Sequence, residues 1–113
     1  MPLYDELWNL EGRLSIPGGS ALNSARATNY MLKNLGIENQ VTYYGSIADD
    51  EKGQVLEKDL KDNGITGNFH KDTENPTGTC AVVVVNNERS LLANLAAACN
   101  YNIEHLRNNM AAV

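Results

Sequence analysis

The sequence predicts an α/β fold in which a layer with a parallel sheet is followed by a β-hairpin. In the first half, amphipathic helical segments alternate with a strand-like run, and short connections between such segments favour parallel strands. The second half alternates turn residues with β-branched runs, which is typical of a hairpin. A chain of 113 residues forms one domain at most, so we expect no second lobe within it.

Two helices are predicted before the first strand. Residues 1–13 mix leucines and Trp8 with acidic residues in the pattern of a short amphipathic helix closed by Gly12. Ser20 to Leu35 contains neither glycine nor proline and is rich in alanine and leucine. We therefore expect a longer helix there, entered through a glycine turn and ended by Gly36.

A strand and another amphipathic helix follow. The run from Gln40 to Ile47 is rich in β-branched and aromatic residues, and Gly45 is expected to mark its C-terminal end. Acidic residues at positions 49–51 suit the positive end of a helix dipole, so a helix is predicted from there to about Asn63. The residues expected on its inward face are Val55, Leu56 and Leu60.

The second half is predicted as a hairpin with a short helix after it. The expected segments are a turn over Asn75–Gly78, a strand over Thr79–Val85, a turn over Asn86–Glu88 and a returning strand over Arg89–Leu92. Ala93–Asn102 fits either a strand end or a loop, and Ile103–Met110 fits a helix capped by Asn102. The whole chain, 1–113, is expected to be one unit, with the α/β layer in 14–67, the hairpin strands in 75–98 and a soft boundary between them.

Charge and hydropathy exclude two classes of partner. Nine basic against fourteen acidic residues give a net charge of −5 without a basic stripe, so we expect no nucleic acid partner. The longest apolar run, Ala81–Val85, is far shorter than the roughly 18 to 20 residues of a membrane span. The N-terminus also lacks a basic region followed by an apolar one. We therefore expect no membrane partner and a cytoplasmic location.

The cysteines and histidines do not predict a metal centre. Cys80 and Cys99 are eighteen residues apart, which is neither a metal-ligand spacing nor a disulfide framework. We expect them to be free thiols, buried or half-buried. His70 and His105 are distant from both cysteines in the sequence, so a Cys/His metal site is not expected.

The segment GGSALNSA, from Gly18 to Ala25, is the first candidate site. Two glycines allow a ligand to approach the backbone closely, and a helix N-terminus offers free N–H groups to sugar or phosphate oxygens. Asn23 would point an amide at the same place. A purely structural turn explains the glycines equally well. The dinucleotide fingerprint is excluded because Leu22 stands where its third glycine is needed, and no P-loop lysine motif occurs.

The second candidate is the segment from Thr77 to Ala98, an apolar strand followed by a polar turn and alternating leucine and alanine. This pattern predicts a sheet with one apolar face. Arg89 has two interpretations. It is either a surface charge at the end of a hairpin or, because its planar fork of donors suits phosphate, a phosphate ligand.

Four segments in order, GGSALNSA, GSIADDEKG, PTGTCAVVV and ERSLLANLAAA, closely resemble the N-terminal part of the adenosine kinases. These enzymes are a branch of the PfkB carbohydrate and nucleoside kinase family, whose fold is ribokinase-like. The resemblance extends from about Leu14 to Leu106. The two glycines and the asparagine are shared by the whole family, whereas RSLLANLAAA is more particular to the adenosine branch.

The resemblance implies a partial ribokinase-like fold and transfer of the ATP γ-phosphoryl group to the 5′-hydroxyl of adenosine, with Mg²⁺, in purine salvage. In such kinases the glycine motif holds the ribose, and the hairpin is a lid over the nucleoside. The ribose-binding positions would be Gly18, Gly19, Ser20 and Asn23. The positions lining the lid would be Cys80, Leu91, Ala93 and Leu95, with Arg89 approaching the transferring phosphate.

Departures from the family pattern limit what this chain is expected to do. The glycine-rich motif with the catalytic aspartate and the Asn-x-x-Glu metal motif are both missing, and the early ribose-binding aspartate would lie before Met1. We therefore expect an N-terminal fragment without catalytic or metal-binding residues, inactive without the remainder of the kinase chain. The alternatives are a fragment of a PfkB sugar kinase, which RSLLANLAAA argues against, and a non-catalytic interaction module that retains the front half of the fold.

Overall fold

Two parallel strands, β1 (Thr42–Ala48) and β2 (Thr66–Asp72), form the centre of the first half in the computed structural model, which describes residues 2–112. Helix α2 (Ser20–Asn34) precedes them and helix α3 (Glu51–Asp62) connects them. One face of the strand pair packs on these helices around a core of buried residues, Leu22, Leu60 and Ile65. The predicted parallel α/β layer is confirmed.

An antiparallel hairpin forms the second half. Strands β3 (Thr79–Val85) and β4 (Glu88–Asn94) pair in register, and the first helix, α1 (Pro2–Trp8), contacts β3. A 3₁₀ helix (Ala96–Asn100) follows and contacts β1, and helix α4 (Ile103–Asn108) comes next. His105 of α4 makes edge contacts with the rings of Tyr44 and His70, so α4 covers the face of β1 and β2 opposite the core. None of the helices in the described range is long and apolar enough to cross a membrane.

Several element boundaries differ from the predictions. Helix α1 ends four residues before Gly12, and β1 continues through Gly45 to Ala48. Val55 is exposed on α3 rather than facing inward. Strand β2 was missed because its sequence, TGNFHKD, carries polar residues and a glycine in place of a strong apolar alternation.

The hairpin is tighter and longer than expected. Its turn contains only Asn86 and Asn87, both with positive φ (52° and 65°), which is the two-residue type that matches the strand twist. Glu88 therefore belongs to β4, which runs to Asn94 before the 3₁₀ helix begins. The cap predicted for α4 is confirmed, since the side chain of Asn102 accepts hydrogen bonds from the backbone N–H groups of residues 104 and 105.

The base of the hairpin is attached to the α/β layer by Asp50 and Thr77. Asp50 is the N-cap of α3 and accepts a hydrogen bond from the Gly53 amide at 2.8 Å. The same carboxylate accepts from the Thr77 hydroxyl at 2.6 Å and from the Thr77 amide at 2.9 Å. The Thr77 hydroxyl in turn accepts from the Ala48 amide at 3.0 Å. One buried threonine thus joins the end of β1, the start of α3 and the start of the hairpin.

Close packing at this junction requires a glycine in the first turn of α3. A Cβ atom on Gly53 would lie 2.3 Å from the Ala48 carbonyl oxygen and 3.0 Å from the Thr77 hydroxyl oxygen. Because the nearest of these atoms is backbone, it has little freedom to move away. The glycine therefore allows β1 and α3 to meet closely enough for Thr77 to reach both.

A second carboxylate, Asp72 at the end of β2, organises the turn that leads to the hairpin. It accepts hydrogen bonds from the Asn100 side chain at 2.6 Å and from the backbone amides of Glu74 and Asn75 at 2.8 and 2.9 Å. The Asn100 amide, followed by the two backbone amides, lowers the pKa of Asp72 to about 2. The charged form of Asp72 is therefore part of the folded structure.

We expect Thr77→Val to destabilise the fold by about 1 to 3 kcal/mol, because it leaves the buried Ala48 amide without its acceptor and removes a donor from Asp50. Urea unfolding measures the change. Thr73→Val is the matched control, since Thr73 is exposed and only four residues away. Equal stability of the two variants would contradict the role given to Thr77.

Acid should weaken the fold partly through Asp72. Its folded pKa of about 2 lies below the ordinary 3.8, so its contribution is fully present above about pH 4 and is lost as the pH falls toward 2. Asp72→Asn should be less stable than the wild type at neutral pH, and the difference should shrink between pH 4 and pH 2. Unfolding midpoints across that range, with the exposed Asp49→Asn as control, test this; a pH-independent difference would contradict it.

Candidate functional site

The glycine turn before α2 leaves the start of that helix open to a ligand. Gly19 is the N-cap residue and has φ 101° and ψ 152°, a conformation that is essentially restricted to glycine. No side chain in the described range caps this helix, so its first N–H groups are free to bind oxygen atoms. Gly18, Gly19 and Ser20 are all exposed, as a binding turn requires.

Asn23 lies one turn into α2, on the same exposed side. Its backbone amide donates to the Gly19 carbonyl at 2.9 Å, the first hydrogen bond of the helix. Its side-chain Oδ1 accepts a long hydrogen bond, 3.4 Å, from the guanidinium group of Arg26. The structure therefore brings all four predicted ribose-binding positions into one short segment, and it adds Arg26 to them.

Arg26 connects the glycine turn to α3. Its Nη1 also donates to the Pro17 carbonyl at 2.7 Å, immediately before the two glycines. Its Nη2 forms an ion pair with Asp59 of α3, and both side chains are about one quarter exposed, at 27% and 28%. Neither Arg26 nor Asp59 was predicted as a site residue. The spacing of Asn23 and Arg26, three residues apart on a predicted helix, was the signal that they could meet.

The predicted residues of the hairpin share one face. Directly paired residues of antiparallel strands lie on the same face, and alternate residues of a strand do too. Cys80 pairs with Ala93. Leu91 and Arg89 pair with the residues two and four positions after Cys80 on β3, so they lie on the same face. All four are exposed, so this face, which we call the open hairpin face, is available to a ligand.

Two expectations about the hairpin were wrong. Leu95 does not continue the alternation of Leu91 and Ala93, because β4 ends at Asn94 and the chain turns into the 3₁₀ helix. Leu95 is nevertheless exposed beside the end of the strand. Cys80 and Cys99 are free thiols as predicted, but both are exposed rather than buried, Cys80 because it lies on the open hairpin face.

Helix α3 links the glycine turn to the hairpin. Within residues 2–112 no hydrogen bond or ion pair joins the two directly. Asp50 at one end of α3 holds the base of the hairpin, and Asp59 near the other end holds Arg26. At a rise of 1.5 Å per residue these contacts are about 14 Å apart along the helix. The helix therefore sets the separation between the two candidate binding segments.

Two carboxylates at the ends of the parallel strands, those of Asp50 and Asp72, are occupied by protein hydrogen-bond donors. Ligands of α/β sheets commonly bind there. Burial alone would raise the pKa of Asp50, but hydrogen bonds from Thr77 and Gly53 and the charge of Lys52 outweigh it and lower the pKa. Asp50 and Asp72 both accept several protein hydrogen bonds. In the described part of the chain no group of three or more His, Cys, Asp or Glu residues could hold a metal.

Open grooves on the surface lie away from the predicted site. A groove of about 400 Å³ lies beside the start of β2, and one of about 250 Å³ lies between α2 and the end of α3. Neither is lined by a predicted site residue, although Arg26 borders the second. The candidate site is thus two exposed segments and not an enclosed cavity.

Comparison with known proteins supports the resemblance. The family described as pfkB family carbohydrate kinase matches residues 8–113. Adenosine kinase 2 of Arabidopsis thaliana is 39% identical over 107 residues, which are 95% of this chain and 30% of the relative. Adenosine kinase of Dictyostelium discoideum is 37% identical over 108 residues, with the same coverage of 95% and 30%. The chain spans about 30% of the length of these curated relatives.

Solved structures agree with the fold. Anopheles gambiae adenosine kinase in complex with P1,P4-di(adenosine-5) tetraphosphate superposes with a TM-score of 0.87 and 38% identity, covering 97% of this chain and 32% of that one. The apo adenosine kinase of Trypanosoma brucei brucei gives 0.82 and 34%, covering 97% and 33%. A ribokinase from Giardia lamblia, at 19% identity and a TM-score of 0.73, shares the fold. The expected ribokinase-like fold is confirmed.

The two glycines of the turn should respond differently to substitution. Gly19→Ala should cost about 1 to 3 kcal/mol, because alanine is strained at φ 101°. Gly18→Ala should change the stability by less than about 0.5 kcal/mol, since its φ is not positive and the nearest atom to a Cβ would be 3.9 Å away. Thermal unfolding of the two variants distinguishes them; equal losses would contradict the assignment of strain to Gly19.

Proposed function

The chain belongs to the pfkB family of carbohydrate kinases, and we propose that it forms the nucleoside-binding part of an adenosine kinase. The reaction would transfer the γ-phosphoryl group of ATP to the 5′-hydroxyl of adenosine, giving AMP and ADP in purine salvage. The single observation that carries the proposal is the 37% to 39% identity, over almost the whole chain, to adenosine kinases. The exposed glycine turn and the open hairpin face give the proposal a physical basis.

In this proposal the glycine turn binds the ribose. The free N–H groups at the start of α2 donate to hydroxyl oxygens, with Gly18, Gly19 and Ser20 allowing the sugar to approach the backbone. Asn23 adds an amide, which both donates and accepts and so suits a hydroxyl group. What supports these roles is the absence of a side-chain cap on this helix in the described part of the chain, together with the exposure of all four residues.

The open hairpin face would cover the nucleoside as a lid. Cys80, Leu91 and Ala93 form an exposed apolar surface, and Leu95 lies beside it. A flat purine base that packs on this surface removes it from water, which stabilises the complex by about 25 cal/mol for each Å² of apolar area buried. The apolar face therefore favours a nucleoside over a free sugar, which has little apolar surface to bury. We propose the same division for the chain, with residues 14–67 on the ribose side and 75–98 in the lid.

Arg89 would contact the transferring phosphate. It follows the hairpin turn by two residues and lies on the same face as Leu91. Within the described range it has no ion pair, so its guanidinium group is free to bind a phosphate in its planar fork. Its contribution would therefore be to stabilise charge during transfer and not to hold the nucleoside.

ATP and Mg²⁺ would be bound by residues other than those of this chain. The described residues do not fit the metal, since Asp50 and Asp72 are occupied by protein donors and no suitable cluster exists among residues 2–112. The sequence also contains no glycine-rich aspartate motif that could supply a catalytic base. We infer that this chain alone does not complete the transfer, and we propose the remainder of a kinase chain as its partner. Exposed apolar side chains that such a partner would cover are Leu14, Ile16, Tyr30, Met31 and Leu35.

The direct test compares acceptors. A longer kinase chain containing these 113 residues, supplied with ATP and Mg²⁺, should convert adenosine to AMP and leave ribose and fructose unchanged, and the 113-residue chain by itself should do neither. Chromatography of the nucleotide products measures both. Phosphorylation of a sugar in preference to adenosine would make the protein a sugar kinase. Activity of the 113-residue chain alone would contradict the division of roles.

Two substitutions in the longer kinase should separate binding from transfer. Asn23→Ala should weaken adenosine binding by about 1 to 3 kcal/mol, the cost of leaving buried polar groups unpaired, and so raise KM. Arg89→Ala should lower kcat by about a hundredfold with little change in KM, because its target is the transferring phosphate. Arg107→Ala, an exposed arginine paired with Glu104, is the control and should change neither value. A pure KM effect of Arg89→Ala would contradict its role.

A further inference from the structure

Among the described residues 2–112, Arg26 is the one charged side chain that forms hydrogen bonds on both sides of the glycine turn. Through Nη1 it donates to the carbonyl of Pro17, before the turn, and to Oδ1 of Asn23, after it. The first of these hydrogen bonds is short, at 2.7 Å, and the second is long, at 3.4 Å. Arg26 does not itself belong to the four ribose-binding positions. Its contacts are with the backbone and side chain of residues that do the binding or border them.

The position of Arg26 is determined by α3. Its Nη2 is held by the carboxylate of Asp59, thirty-three residues further along the chain, and the pair is only partly exposed. An ion pair withdrawn from water is screened less than one on the open surface. The guanidinium plane is therefore fixed by a helix that is itself capped and packed against the sheet.

We propose that Arg26, held by Asp59, is a positioning residue for the nucleoside site. It sets the path of the Gly18–Gly19 turn and orients the Asn23 amide. Because Oδ1 of Asn23 faces the guanidinium group, the Nδ2 group is directed to the ligand as a hydrogen-bond donor. Within residues 2–112 this Nδ2 group donates to no protein acceptor, and the side chain's one hydrogen bond is made by Oδ1. The proposal rests on the function proposed above and adds a residue to its site.

Arginine is required at this position by the geometry and not only by its charge. Its rigid fork donates to three oxygen atoms on three different segments, those of Pro17, Asn23 and Asp59. A lysine has three donors on one nitrogen atom and cannot span the same separation. Arg26→Lys should therefore keep the ion pair with Asp59 and still fail to hold the turn.

The test uses the longer kinase that contains this chain and two readouts. The variants are Arg26→Gln, Arg26→Lys and Asp59→Asn, and the matched control is Lys58→Gln, which breaks the exposed Lys58–Asp62 pair on the neighbouring surface of α3. The first readout is KM and kcat for adenosine. The second, which needs no substrate, is hydrogen exchange of the Asn23 amide, whose bond to the Gly19 carbonyl depends on the path of the turn.

We expect Arg26→Gln and Asp59→Asn each to raise KM for adenosine about tenfold, the effect of one lost hydrogen bond, with kcat within about twofold and KM for ATP unchanged. Exchange of the Asn23 amide should accelerate in both variants and in Arg26→Lys, but not in Lys58→Gln. The double variant should be no worse than the more severe single one, since Arg26 and Asp59 act as a unit.

Unchanged exchange and unchanged KM, even with a lower unfolding temperature, would reduce the pair to a stabilising contact and overturn the proposal. If the wild-type kinase does not use adenosine, the proposed function fails and exchange alone decides about Arg26. Accelerated exchange then supports the positioning of the turn, and unchanged exchange overturns it.

Discussion

The carboxylate of Asp50 is the contact on which the arrangement of the two halves depends. It caps α3, and through Thr77 it fixes the base of the hairpin to the end of β1. At the other end of the same helix, Asp59 holds Arg26 and with it the glycine turn. Both carboxylates belong to or border one rigid helix, so α3 acts as a spacer of about 14 Å between two segments that do not bond to each other. A disturbance of either contact changes one half of the site relative to the other.

The candidate site is exposed to solvent because its two segments lie apart on the surface. The glycine turn offers free N–H groups, and the hairpin offers an exposed apolar face. Neither is buried by the chain itself, and the surface grooves lie elsewhere. A ligand with a polar sugar and an apolar base is complementary to such a pair of segments, because each part of the ligand meets a surface of its own kind.

The sequence predicted most of the elements because their signals are local. The Asn102 cap, the acidic start of α3 and the Pro-Thr-Gly turn before β3 are each visible within a few residues. Strand β2 was missed because two of its polar residues contact another part of the chain, where a polar side chain in a strand is usually taken to face solvent. Asn68 donates a hydrogen bond to Asn109, just after α4, and His70 contacts the ring of His105. Gly45 was misjudged because a glycine inside a strand looks the same in a sequence as one that ends it.

The contacts that join the two candidate binding segments could not be predicted from the sequence. The segments themselves, GGSALNSA and RSLLANLAAA, were proposed from their resemblance to kinases. The ion pair of Arg26 with Asp59 joins residues thirty-three apart, and the contact of Asp50 with Thr77 joins residues twenty-seven apart. No local pattern reports such pairs, because their distance is set by how α2, α3 and the sheet pack. Tertiary packing thus decides which polar side chains meet, even where each element is foreseen.

A crystal structure of the longer kinase with adenosine bound tests most directly whether the two segments held by α3 form one nucleoside site. We expect the ribose hydroxyl groups within hydrogen-bond distance of the Gly19 turn and of Asn23 Nδ2, and the purine against the open hairpin face at Leu91 and Ala93. Adenosine bound elsewhere, or bound to only one of the two segments with the hairpin face covered by protein, would contradict this account.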